Sequence, residues 1–232
     1  EYSRDLVAGA VDLVHEHPVT SVAWHRRGDY LAVLLPQAPT TSQGLVMHQL
    51  SRRMSLHPFG KLPAGSLRAV AFHPTRPQLL LATAQHVRVY DLLAQRLVKK
   101  LTPGGHARSI STIAVHGGGD NVLVGTEGER VVWFDLDWSS DPYRALHIHD
   151  GAVRSVAFSP SFPLFASVGD DAAVHVYHAT VYEDLNRNPL IVPVKVIKDE
   201  EMAGRRITAC VWHPSQPWLY TADSAGLITL FV

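Results

Sequence analysis

Four carboxylates, Glu127, Asp170, Asp171 and Asp223, have the best claim to bond-breaking chemistry in this sequence. Two carboxyl groups facing each other across a sugar can hydrolyse a glycosidic bond, one as acid and one as nucleophile or base. The four lie in short polar stretches (GTEGE, GDDA, TADSAG), where Asp also forms turns by bonding its own backbone. His149, Ser167 and Asp171 have the composition of a hydrolytic triad. The simpler role is a buried hydrogen-bond network that ties turns together.

Metal chemistry needs several ligands converging on one point, usually including a close-spaced pair on one element. Fourteen histidines supply two such pairs, His15/His17 and His147/His149, each on one face of a strand, but with no Cys nearby and only Asp150 as an adjacent carboxylate. They read as rim or turn-capping residues. The single cysteine, Cys210, lies in an apolar strand and reads as core. HGGGDN (116–121) lacks the Lys and following helix of a phosphate loop. No catalytic residue, metal ligand or cofactor site is assigned.

The elements that would position these residues repeat. VAWH (22–25), VAFHP (70–74), IAVH (113–116), VAFSP (156–160) and CVWHP (210–214) place an anchor at 25, 73, 116, 159 and 213, with spacings of 48, 43, 43 and 54. Each anchor precedes an apolar run, a polar turn and an alternating strand such as HVRVYDL or RVVWFDL. His25, His73, His116 and His213 recur at the anchor, so they are architectural. Fourth strands are predicted at 97–101, 143–149 and 192–198. Four short strands every ~40–45 residues mark a WD-type β-propeller blade. The dipeptides are degraded: Tyr90-Asp91 and Phe134-Asp135 stand where Trp-Asp is usual, Tyr177 replaces the fourth Trp, and only Gly105-His106 is a clear Gly-His.

The predicted units are an outer strand of a preceding or closing blade (1–18) and blades at 19–65, 66–104, 105–150 and 151–200, the last with an insertion at 181–191. A final blade at 201–232 lacks its outer strand. AVDLVHEH (10–17) either closes a five-blade ring by pairing with LITLFV, or ends an earlier blade.

The 232 residues carry equal numbers of acidic and basic side chains, 21 each. Bulk charge therefore draws no nucleic acid, and any such affinity must be local. One cysteine excludes a disulfide-stapled domain and fits a reducing compartment. The longest apolar run falls short of a membrane span of roughly 20 residues. EYSRDLVAGAVD has neither the basic start nor the apolar stretch of a signal peptide, and its lack of Met is expected of a fragment or processed chain.

GDNVLVG…VVWFDLD (119–137), DPYRALHIHDGAVRSVAFSPSFPLFASVGDD (141–171), VYEDLNRNPLIVPVKVIK (181–198), VTSVAWHRRGDYLAVLLP (19–36), HQLSRR (48–53) and HPSQPWLYTADSAGLITLFV (213–232) resemble the C-terminal propeller of the eukaryotic block-of-proliferation family. The segment 199–212 and the PQAPTTSQ turn depart from the pattern. The resemblance implies a seven-bladed propeller with upstream blades. It also implies a non-catalytic scaffold in nucleolar assembly of the large ribosomal subunit and maturation of its rRNA. Implied partners are a pescadillo-type protein, a second WD-repeat assembly factor, pre-rRNA and the large-subunit precursor particle, with no membrane; the implied location is nucleolus and nucleoplasm. Adaptors of ubiquitin ligases or chromatin share the fold, and a propeller hydrolase is the enzymatic alternative.

On this reading the basic residues Arg26, Arg27, Arg52, Arg53, Lys99, Lys100, Arg154, Lys195, Arg205 and Arg206 become candidate contacts to rRNA phosphates or partners. Phosphate contacts fix position without reading sequence. The competing role is solvated rim charge. Tyr182, Leu185 and Leu190 of the insert are candidate docking residues, against simple protection of a strand edge by Pro189 and Pro193.

Overall fold

The computed structural model describes residues 2–5, 10–60, 67–106, 109–180, 190–198 and 204–232. Among them there is no α-helix. Five antiparallel sheets follow one another, each a chain-order meander, arranged as a β-propeller. Blade one holds β3 (Ser21–Trp24), β4 (Tyr30–Leu34), β5 (Leu45–Gln49) and β6 (Met54–Leu56). Blade two holds β7 (Leu67–Phe72), β8 (Gln78–Thr83), β9 (Val87–Asp91) and β10 (Arg96–Leu101). Blade three holds β11 (Ile110–Val115), β12 (Asn121–Thr126), β13 (Arg130–Asp135) and β14 (Arg144–His147). Blade four holds β15 (Val153–Phe158), β16 (Leu164–Gly169), β17 (Ala173–Thr180) and β18 (Leu190–Lys198). Blade five has three strands, β19 (Ile207–Trp212), β20 (Leu219–Asp223) and β21 (Ile228–Phe231).

Two differences from the sequence expectation stand out. β2 (Ala10–Leu13) pairs with β1 (Tyr2–Asp5) in a separate two-stranded sheet, and not with β21. A ring closed by pairing AVDLVHEH with LITLFV is therefore corrected: the strand finds its backbone partner a few residues upstream. In blade four, β18 begins at Leu190, so Leu190 and Ile191 are strand rather than insertion.

The anchor phrase recurs because it closes the first hairpin of each blade. The anchor N–H donates to the carbonyl five residues on: His25 to Tyr30, His73 to Gln78, His116 to Asn121, Ser159 to Leu164, His213 to Trp218. The anchor ring then accepts turn N–H groups at Nδ1, from Thr75 and Arg76 at His73 and from Ser215 and Gln216 at His213. His25 accepts from Arg27 and His116 from Gly118 in the same way, and Ser159 substitutes its Oγ, accepting from Phe162. A turn this tight leaves N–H groups without ladder partners, and the anchor satisfies them.

The core lies between blades. Ala32, Leu34 and Leu45 of blade one pack on Leu67, Val70, Leu79 and Leu81 of blade two. Val87 and Val89 meet Ile110, Val122 and Phe134. Trp133 of blade three is fully buried against Phe158 and Phe165 of blade four, and its indole N–H donates to Asn121 Oδ1 at 2.6 Å. Val168 and Val174 meet Ile207, Trp212 and Leu219.

The two end blades keep one face open. On blade one Val22 and Trp24 are 56% and 58% exposed, opposite Val33 and Leu31 in the register. On blade five Val211, Ile228 and Leu230 are 60%, 71% and 44% exposed on one face.

The innermost strand carries a register shift at the same point in four blades, between Leu67/Ala69, Ile110/Thr112, Val153/Ser155 and Ile207/Ala209. A bulge re-aims the extra side chain. Arg68 reaches Glu127 of the next blade, Ser111 donates to the Val153 carbonyl of the next blade, and Arg154 pairs with Asp170.

Gly119 and Gly28 separate backbone strain from packing. Both have positive φ, +94 and +73, but a Cβ on Gly119 would fall 2.2 Å from the His73 ring of blade two, whereas Gly28 faces open space. Gly28→Ala should cost about 1 kcal/mol, the price of a left-handed alanine. Gly119→Ala should cost at least about twice that, because the inter-blade contact must also open. Urea unfolding of the two variants checks the order.

Candidate functional site

The densest polar cluster lies at one end of blade four. His149, Ser167 and Asp171 meet there: His149 Nδ1 is 3.0 Å from both Asp171 carboxylate oxygens, and Nε2 is 2.8 Å from Ser167 Oγ. A carboxylate only accepts, so Nδ1 carries the proton and donates. Asp171 also accepts the N–H groups of Asp150 (3.0 Å) and Ala173 (3.3 Å). Burial alone would raise the Asp171 pKa, but the His149 bond, its charge and these two N–H groups hold it at about 2. The network stitches the loop before β15 to the β16–β17 turn. Tyr177, where a Trp is usual, stacks on Phe165 at 5.0 Å.

His175 extends the cluster, and the sequence reading passed over it. It pairs with Ser167 across the sheet, and its ring lies 4.4 Å from that of His149. It is buried, and neither ring nitrogen has a hydrogen-bond partner among the described residues. Burial, with the neighbouring His149, lowers its pKa to about 4. The alternation of His175 with Tyr177 was the available signal.

His149, Asp171 and His175 offer three ligand atoms within 4.8 Å of one another. A divalent metal would have to displace the hydrogen bonds that already occupy His149 on both nitrogens and Asp171 on both oxygens. The arrangement as it stands ties loops rather than opening a coordination position.

The four carboxylates considered for glycoside hydrolysis are all engaged. Glu127 faces Arg68 at 3.7 Å, Asp170 holds the guanidinium of Arg154, and Asp171 serves His149. Asp223 accepts from the N–H groups of Ala225 and Leu227, both at 2.9 Å, and from Arg205 at 3.4 Å. Cys210 lies on the innermost strand with its thiol pushed up to about 12 by burial, which makes it a poor nucleophile.

The basic residues divide into engaged and open sets. Arg154 and Arg205 are in ion pairs, Lys198 pairs with Asp150 at 3.2 Å, and the Lys99 amine donates to the Leu136 carbonyl. Lys100, Lys195 and Arg206 are exposed but lie apart, on blades two, four and five.

Arg26, Arg27, Arg52 and Arg53 come together. The β3–β4 and β5–β6 turns lie at one end of blade one. Asp29 bonds them to each other, accepting from Ser51 N–H (2.8 Å), Ser51 Oγ (3.0 Å) and Gln49 (3.2 Å). The Ser51 bonds hold the Asp29 pKa below the usual range. All four arginines are exposed and lack a carboxylate ion pair among the described residues; Arg26 reaches the Pro74 carbonyl. Tyr182 and Leu185 lie outside the described residues, and Leu190 is an exposed strand residue.

The WD domain, G-beta repeat, family matches residues 136–178, the unit holding the His149 network. "Ribosome biogenesis protein BOP1 homolog" of Chlamydomonas reinhardtii is 50% identical over 92% of this chain and 26% of its own length. "Ribosome biogenesis protein BOP1" of Homo sapiens is 48% identical over 94% of the chain and 29% of its own length. "Ribosome biogenesis protein erb1" of Schizosaccharomyces pombe is 45% identical over 92% and 28%. Nearly the whole of this stretch is similar to the BOP1/Erb1 ribosome biogenesis proteins. It spans between a quarter and a third of the length of the curated relatives it matches. It corresponds to their C-terminal region. The BOP1/Erb1 resemblance read from NPLIVPVKV and its neighbours thus holds along nearly the whole stretch.

Removing Asp171 leaves the buried His149 N–H and the Asp150 and Ala173 N–H groups without acceptor. Asp171→Ala should cost about 1–3 kcal/mol by urea unfolding.

His175 gives a pH signature. Its folded pKa lies below its unfolded value, so the folded state binds fewer protons there. Its contribution is complete above pH ~6.5 and is lost as pH falls toward about 4. Unfolding free energy should therefore decline across that window, where buried His48, also lowered to about 4, adds to the loss, and His175→Phe should make the decline shallower.

Proposed function

We propose that this propeller is a rigid, non-catalytic platform in ribosome biogenesis, working in the assembly of the large-subunit precursor and the maturation of its rRNA in the nucleolus and nucleoplasm. The similarity of nearly the whole stretch to relatives named ribosome biogenesis proteins carries the reading. The engagement of Glu127, Asp170, Asp171 and Asp223 in structural bonds supports a scaffold over a propeller hydrolase. A pescadillo-type protein and a second WD-repeat assembly factor are the proposed protein partners.

The proposed RNA contact is the arginine cluster of blade one. Four exposed arginines on two turns tied together by Asp29 offer guanidinium donors to phosphates, Arg26 while also donating to the Pro74 carbonyl, and such contacts hold an RNA in place without reading its sequence. Arg154 and Arg205, already paired, contribute less. In the full-length protein, charge reversal of Arg26, Arg27, Arg52 and Arg53 to Glu should abolish most crosslinking of this region to pre-rRNA. Reversal of Lys100 and Lys195 should do little. Unchanged crosslinking after the first set would remove this surface from the RNA-binding reading.

We further propose that the ring is seven-bladed and closes through blades outside this stretch, which cover the open faces at Val22/Trp24 and Val211/Ile228. Expressed alone, residues 1–232 should self-associate in sedimentation velocity, because apolar faces of this size seek cover. The full-length protein should not self-associate through these faces.

A further inference from the structure

The turn between β13 and β14 is built differently from its counterparts. It runs from 136 to 143, against 92–95 and 50–53 in blades two and one, so it is twice as long. Every part of it is pinned. Asp135 Oδ1 accepts the N–H groups of Asp137 (2.8 Å) and Trp138 (3.1 Å), and Ser139 Oγ accepts from Asp141 at 3.0 Å. Thr102 N–H donates to the Ser140 carbonyl across from blade two, and Tyr143 N–H to the Trp133 carbonyl. Arg76 grips Asp137 with two bonds of 2.7 Å.

This rigid turn displays Trp138 at 69% exposure, although nothing in the packing of blade three requires an indole there. Its ring lies 6.4 Å from that of Tyr143, tilted at 42°. Trp138, Tyr143, Pro142, Ser139, Asp135 and Asp141 together line a cavity of about 350 Å³. Two aromatic faces and two carboxylates in one pocket form a field negative in both its quadrupolar and its charged parts. The nearby cations cancel it only in part: Arg76 is matched by Asp137, and the Lys99 ammonium, on the Leu136 carbonyl, offsets Asp135, which leaves Asp141 as the free carboxylate. The exposed Asp141 has no ion pair among the described residues.

We infer that this pocket binds the cationic side chain of a lysine-bearing, basic protein segment. The alkyl stem lies along Trp138 and Tyr143, and the ammonium sits between the indole face and the carboxylates of Asp135 and Asp141. The pinned turn fixes the backbone that carries these groups before binding, so only their side chains need ordering when the ligand arrives. A nucleobase could stack on Trp138, but its phosphates would approach the unpaired Asp141, so the charges favour a basic peptide. The inference stands apart from the arginine cluster of blade one.

The test uses the full-length protein and three labelled probes: a short lysine–serine peptide, the same peptide with every lysine acetylated, and a single-stranded RNA oligonucleotide. Fluorescence anisotropy should show saturable binding of the lysine peptide, weakened about tenfold by Trp138→Ala and substantially retained by Trp138→Phe. Asp141→Asn and lysine acetylation should each weaken it as well. Trp138 is exposed, so these variants leave the core intact, and a thermal melt confirms it. Replacing the blade-one arginines with Glu should leave peptide binding unchanged, which separates this pocket from the RNA surface. The proposal is overturned if the lysine peptide does not bind, if the acetylated peptide binds equally well, or if Trp138→Ala leaves peptide affinity unaltered. It is also overturned if Trp138→Ala weakens the RNA oligonucleotide instead of the peptide.

Discussion

Each blade in this arc is apolar on both faces, so each depends on a neighbour for burial. Trp133 shows the dependence most plainly. It belongs to blade three, but its ring is buried by Phe158 and Phe165 of blade four. Leu34 and Leu81 do the same between blades one and two, and Val168 and Trp212 between four and five. A sheet with two oily faces and no helix to cover them is stable only in a stack. The open faces of the end blades express the same requirement unmet.

The anchor residues make that stack possible by keeping the first hairpin short. A histidine that accepts two turn N–H groups at Nδ1 replaces the ladder bonds a tight turn gives up. Ser159 shows the role is hydrogen bonding rather than ring chemistry, since one hydroxyl oxygen does the same work in blade four. At the opposite end of the blades, the recurrent bulge turns Arg68 and Ser111 toward the next blade. The two ends of the innermost strand thus carry different duties: one closes its own hairpin, the other reaches outward.

Much of this was legible in the sequence because the repeat is written in short-range hydrogen bonding. An anchor His and the strand after it have fixed spacing, so five units could be counted despite degraded dipeptides. The His149, Ser167 and Asp171 set was legible for the same reason: its members occupy set places in the unit. What depends on packing between units was not. β6 gave no signal, being three residues with exposed side chains. The partner of β2 stayed open between two alternatives because pairing with a near neighbour and pairing with a distant strand look alike in an alternating segment. The basic residues read as a dispersed set, since neither the Asp29–Ser51 bonds that gather four of them nor the ion pairs that occupy Arg154 and Arg205 follow from spacing. The Trp138 pocket was missed because WSSDPY reads as an ordinary polar turn until its pinning is seen.

Neighbour-only burial also governs how damage spreads. When each unit touches just the one before and the one after, the free energy approaches a chain of unit terms and interface terms. The coupling length is then about one blade: a lesion at Trp133 is felt by blades three and four and hardly by blade one. Loss of a residue within one blade can be offset by the interfaces on either side. Such an architecture lets individual signature residues drift while the whole persists. That Tyr177 stands in place of a tryptophan without disturbing the fold around Phe165 is a local record of this tolerance.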